Sequence, residues 1–231
     1  SAVGLAISAI TSLFIKTKTG RAGKEPTSWR VLLAGLRYVY EKKIIFGAIT
    51  LDLFVVLLGG VTALLPVFAK DILDVGPTGA GFLRGAIAAG SLATGIALTR
   101  VSMTRAVGST LYISIFVFGA ATILFGLSTV LWLSIAAMVI LGIGDMVSVY
   151  IRVTLIQIAT PDEMRGRVSA VNSVFTGASN EIGEFRAGMM AAAIGTVPAV
   201  VFGGIGCFAV AAICWFTFPE LRRVQRMDRE L

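Results

Sequence analysis

The sequence contains no histidine. That removes the commonest general base and the commonest neutral metal ligand. A Ser-His hydrolase centre is therefore impossible, and most zinc chemistry is excluded. Charge is also scarce. Asp, Glu, Lys and Arg make up 14% of the residues, where soluble domains carry about 25%. The only cysteines, Cys207 and Cys214, stand in an apolar run without CxxC spacing, so neither a disulfide nor a metal pair is expected. No G-x-x-x-x-G-K-[ST] loop and no G-x-S-x-G elbow occurs, so an ATP site of that type and a serine nucleophile of that type are missing. No metal-ligand cluster and no cofactor site can be read, and the chain is not expected to be an enzyme.

What is abundant is apolar sequence. Of 231 residues, 56% are hydrophobic, and the mean hydropathy is +0.89. This balance belongs to membrane proteins. Apolar runs of bilayer-spanning length lie at about 44–68, 78–99, 107–128, 130–151, 167–193 and 197–218. An apolar stretch at 1–15 reads as the end of a truncated span. Residues 16–43 form a basic loop with an amphipathic helix at the membrane surface, carried by Val31, Leu32, Gly35, Leu36, Val39 and Tyr40. Residues 219–231 form a basic tail. The expected fold is all-α: a six-helix transmembrane domain over 44–218 with short connections, hence antiparallel neighbours.

The net charge of +7 does not point to nucleic acid, because the basic residues fall between apolar runs. Alternate connections carry them: Lys16 to Lys43, then Arg100 and Arg105, then Arg152, Arg165 and Arg167, then the tail from Arg222 to Arg229. The intervening connections hold Lys70 with Asp71 and Asp74. Basic connections stay on the cytoplasmic side, so the loops and the C-terminus are expected there.

In the second span Gly81, Gly85, Ala89, Ala93 and Ala97 recur every four residues, a spacing that lets helices approach closely. Before the fifth span, ATPDEMRGRV suggests an N-cap at Thr160, Pro161 at the first helical position and a capping box closed by Glu163. Two roles fit this segment: a capped surface helix, or a cytoplasmic gate formed by Asp162, Glu163, Arg165 and Arg167 with Arg100 and Arg105.

Ionisable residues inside spans are costly and face a protein interior or a watery cavity. Asp52 lies in the first full span and Asp145 in the fourth, with Arg152 seven residues later on the same face. The fifth span is the most polar. Ser169, Asn172, Ser173, Thr176, Asn180, Gly183 and Glu184 share one side, while Arg186 points away from Glu184 and needs a partner on another helix. Asp52, Asp145, Arg152, Asn180, Glu181, Glu184 and Arg186 are the candidates for a substrate or proton path. A satisfied interhelical polar network is the alternative.

Three long stretches carry a resemblance: VGPTGAGFLRGAIAAG, GDMVSVYIRVTLIQIATPDEMRGRVSAVNSVFTGASNEIGEF, and VPAVVFGGIGCF followed by FPELRRV. Across essentially its whole length the chain resembles the C-terminal half of a major facilitator superfamily transporter, of the bacterial enterobactin-exporter-like subfamily. The resemblance implies spans seven to twelve of a twelve-span protein, a missing N-terminal six-span half as partner, and proton-coupled export of a small molecule across the bacterial cytoplasmic membrane. It also implies a loop signature at GIALTRVSMTRAVG, where Gly95, Arg100 and Arg105 are kept but the usual acidic residue is missing, with Thr99 in its neighbourhood. In relatives an acidic residue is expected near the position of Arg186. Arginine there suggests a more anionic substrate. The competing function is a six-span scaffold that binds partners or anionic lipid through its basic loop and tail.

Overall fold

The computed structural model describes residues 29–100 and 106–225. The stretch at 1–15, the first part of the basic loop, Arg105 and the end of the tail lie outside the described residues. Among those described, every regular element is helical.

Helix α1 is Trp29–Glu41. Helix α2, Lys43–Gly59, ends at a break. A 3-10 turn, Val61–Leu64, then leads into α3, Leu65–Asp71. Together these form one apolar segment, Lys43–Asp71. Then follow α4, Gly76–Arg100; α5, Val107–Leu127; α6, Leu131–Ile158; α7, Asp162–Ile194; α8, Thr196–Thr217; and the short α9, Pro219–Arg223.

Among the described residues, five helical segments are long and apolar enough to cross a membrane: Lys43–Asp71, α4, α5, α6 and α8. The sequence led us to expect six. The sixth expected span, 167–193, lies within α7, whose 33 residues reach about 50 Å at 1.5 Å per residue. That exceeds the roughly 30 Å hydrocarbon core. Its length suffices, but its polar side lowers its hydropathy too far.

The helices pack in the spatial order α4, α6, α5, α8, α2, α7, and α3 turns back onto α4. Two of the three hydrophobic clusters fill the body of this bundle, and the third, with Val39, Ile45, Ile49, Ile156, Val168 and Val171, lies under α1. One gathers Leu51, Leu111, Ile115, Ile151, Leu155 and Cys207 near the basic end. The other gathers Phe68, Leu83, Phe125, Met138 and Val200 near the far end. Both cysteines are free and buried.

Two local expectations are corrected. The small-residue stripe does not mediate the α4 contact: Gly81 and Gly85 face open space, and Ala89, Ala93 and Ala97 are exposed. Gly90 packs against the Val139 carbonyl, and Gly142 of α6 against the Ile87 carbonyl. The stripe and the contact are both compatible with small residues every few positions, so spacing alone could not choose the face. The capping box is also not formed. Thr160 Oγ1 donates back to the Ile156 carbonyl at 2.5 Å, closing the end of α6, and α7 starts at Asp162 with Pro161 in the cap position. A hydroxyl near both ends of a connection can serve either helix.

Helix α1 lies against α7 and α2 at the basic end. Gly35 meets the Arg167 backbone, and Tyr38 donates to the Ala159 carbonyl at 3.1 Å. Val39 is buried, whereas Leu36 and Tyr40 are exposed.

Candidate functional site

Helices α2, α6 and α7 each bring one polar side chain to the same buried point. Arg152 Nη1 forms an ion pair with Asp52 Oδ1, and the two side chains are 9% and 8% exposed. The other carboxylate oxygen accepts the Thr176 hydroxyl at 3.2 Å. Burying a charge demands pairing and hydrogen bonding, and here both carboxylate oxygens have a donor. The guanidinium is less complete: Arg152 Nε is buried without a partner among the described residues. Asp145, two turns back on α6, is close enough to feel the charges of both Arg152 and Asp52. Periodicity put Asp145 and Arg152 on one face. The cross-helix partner, Asp52, was not visible in the spacing, because the contact joins residues a hundred positions apart.

A second set of groups surrounds the break that separates α2 from α3. Gly60 adopts φ +40°, in the left-handed region that glycine tolerates best. A Cβ there would lie 2.8 Å from the Gly183 carbonyl oxygen. Pro66 near the start of α3 lacks an N–H. A broken helix leaves carbonyls without intrahelical partners, and these are served by Arg186 of α7. Its Nε donates to Leu57 O at 2.9 Å and its Nη2 to Leu58 O at 2.5 Å, while Nη1 meets the Met190 sulfur at 2.7 Å. The partner that Arg186 requires is therefore backbone, supplied by α2.

Between these two sets lies a cavity of about 140 Å³, lined among others by Gly60, Thr62, Phe118, Asp145, Asn180 and Glu184. Thr62 donates to Glu184 Oε1 at 3.3 Å. Asn180 donates to the Thr176 carbonyl of its own helix at 3.0 Å. The cavity thus has two carboxyl groups and an amide in its wall, and the guanidinium of Arg186 is engaged on the carbonyls of α2. Glu181 is exposed and is not among the cavity-lining residues.

The gate candidates make local contacts. Asp162 pairs with Arg165 within α7 at 2.5 Å. Arg165 Nε also donates to the Gln157 carbonyl at 3.2 Å. Arg167 Nη1 meets the Met164 sulfur at 3.5 Å. Glu163 and Arg100 are exposed, and Arg105 lies outside the described residues.

A sequence model described as transmembrane secretion effector, within the major facilitator superfamily, matches residues 5–230. The chain belongs to this family. Among curated relatives, the enterobactin exporter EntS of Escherichia coli O1:K1 / APEC is 27% identical over 197 residues, covering 84% of this chain and 47% of that protein. EntS of Escherichia coli strain SMS-3-5 is 24% identical over 200 residues, covering 87% and 48%. The chain spans about half the length of the curated relatives it matches. No solved structure matches. With its apolar helices, this transmembrane secretion effector chain is a multi-pass membrane protein of the major facilitator superfamily.

In this family member, sequence reasoning missed Thr62 and the carbonyls of Leu57 and Leu58. Backbone acceptors carry no side-chain signature. The Gly59-Gly60 pair followed by Pro66 inside one apolar run is the signal that marks the break.

Proposed function

We propose that the chain is the C-terminal half of a proton-coupled secondary exporter for siderophore-like or drug-like small molecules. It works by alternating access against an N-terminal six-span half. The basic connections and the C-terminus face the cytoplasm of the bacterial cell, and the spans lie in its inner membrane. The observation that supports this reading best is the Asp52–Arg152 pair with Asp145 beside it, where Asp145 lines a cavity it shares with Thr62, Asn180 and Glu184. In this assignment Asp52 is committed to its ion pair with Arg152. Asp145 has no such committed cation, and it exchanges the proton. Asn180 and Glu184 offer hydrogen bonds to the cargo. Asp162, Glu163, Arg165 and Arg167 sit at the cytoplasmic mouth with Arg100. Because the relatives are enterobactin exporters, enterobactin is the first probe.

The test is efflux from cells carrying the full-length protein, with enterobactin and a drug panel, with and without a proton-dissipating ionophore. Efflux of at least one compound that collapses with the gradient is expected. Asp145→Asn should abolish gradient-driven efflux while leaving exchange of labelled for unlabelled compound. Gradient-driven efflux that survives Asp145→Asn would move the coupling role elsewhere, and efflux of nothing in the panel would favour a non-transport role.

A further inference from the structure

Helix α7 touches α2–α3 on both sides of the break, by two different bonds. On the side of α2, Arg186 holds the carbonyls of Leu57 and Leu58. On the side of the 3-10 turn, Glu184 holds the hydroxyl of Thr62. Between them Gly60 rests against the backbone of Gly183 and the methyl of Ala187. We infer that Arg186 and Glu184 are positioning residues for transport, gripping the broken segment on both sides and setting the place of Val61–Asp71 over the cavity.

The chemistry of the two grips differs. A guanidinium keeps its charge at any working pH and offers several donors in a fixed fork. It stands at the carbonyl end of α2, where a positive charge suits the helix dipole. Lipid offers no replacement donors for those carbonyls, so this grip is the fixed one. The Glu184 grip is a single hydrogen bond of 3.3 Å, donated by the Thr62 hydroxyl to an exposed carboxyl oxygen. Glu184 also lines the cavity, so a hydrogen-bond donor bound there meets the same carboxylate that holds Thr62. Occupancy of the cavity and the position of Val61–Asp71 are thereby linked, a link that rests on the transporter reading above.

The experiment uses the full-length protein in lipid nanodiscs with Cys207 and Cys214 replaced by alanine. Nitroxide labels are placed at Val67 and Ile194, which are 39% and 53% exposed, and pulsed electron paramagnetic resonance reads the distance distribution. Thr62→Val keeps the side-chain shape and removes the hydroxyl. It should broaden the distribution, as should Glu184→Ala, while Glu184→Gln, which keeps an acceptor, should hold it. Arg186→Met should broaden it further, and Arg186→Lys should restore part of the order. In efflux of whichever panel compound is carried, Thr62→Val should lower the maximal rate several-fold with KM changed less than twofold. Unchanged distributions in Thr62→Val and Arg186→Met would overturn the grip, and so would Glu184→Gln behaving like Glu184→Ala. A wild type that carries no panel compound but shows these distance changes would sink the transporter reading and leave the grip in place. Efflux with unmoved distances would do the reverse.

Discussion

At the residue scale the decisive contact is Asp52 with Arg152. Removing one member of a buried pair leaves an uncompensated charge, which costs about 3–5 kcal/mol, whereas replacing both with apolar groups is often neutral. Arg152→Met should therefore destabilise the folded protein by that order. The double replacement Asp52→Leu/Arg152→Met should recover most of the loss and still fail to export. Thermal unfolding of the four proteins in a double-mutant cycle checks this. Glu220 gives a milder, pH-dependent case at the rim. Its carboxyl is held below the usual carboxylate range, first by a hydrogen bond from its own backbone N–H and further by Lys43 and Arg223, the Lys43 contact spanning 3.3 Å. A lowered carboxyl pKa means the contribution is complete above the unfolded value and disappears as pH falls through the folded one. Amide protection at Leu221 and Val224, taken as exchange relative to the unfolded chain at the same pH, should therefore fall below about pH 4, near the ordinary glutamate value, and Glu220→Gln should remove that dependence.

At the element scale, glycines fix how closely helices meet. Gly90 and Gly142 face backbone carbonyls of the opposite helix, so neither neighbour can swing aside. Gly142→Val should cost at least the roughly 1–3 kcal/mol typical of overpacking and lower the unfolding temperature. Gly85→Val, which faces open space, should leave the stability of this bundle within about 0.5 kcal/mol. Gly60→Ala should cost about 1–2 kcal/mol for the left-handed backbone alone, and more from the Gly183 contact. The sequence made the helices and their small residues legible but not this contrast. Four-residue spacing was strongest on Gly81, Gly85, Ala89, Ala93 and Ala97, yet the contact uses Gly90. A helix carries several faces, and the neighbour decides which is buried. The same limit explains Thr160, whose hydroxyl serves α6 rather than α7.

At the scale of the whole molecule, the alternation of basic and non-basic connections gives a topology that can be measured. Alkaline phosphatase inserted after Asp74 should be active, and green fluorescent protein fused at the C-terminus should fluoresce. The opposite pattern would invert the proposed orientation. The polarity of α7 belongs to this scale as well. Its composition keeps it from qualifying as a simple apolar span, yet it packs against α1, α2 and α8 and supplies Thr176, Glu184 and Arg186 to contacts on α2 and the turn that follows it.

Composition, apolar run length and the placement of basic residues depend only on the order of residues along the chain. They were sufficient for the all-α membrane class, for most helix limits and for a list of polar residues too expensive to face lipid. Which of those residues meet was decided by the fold. Arg152 took Asp52 from α2 although Asp145 shares its own helix face, and Arg186 took two carbonyls exposed by a break in α2. Such pairings depend on distances between helices far apart in sequence and on backbone groups that every residue carries. No one-dimensional pattern records either of these.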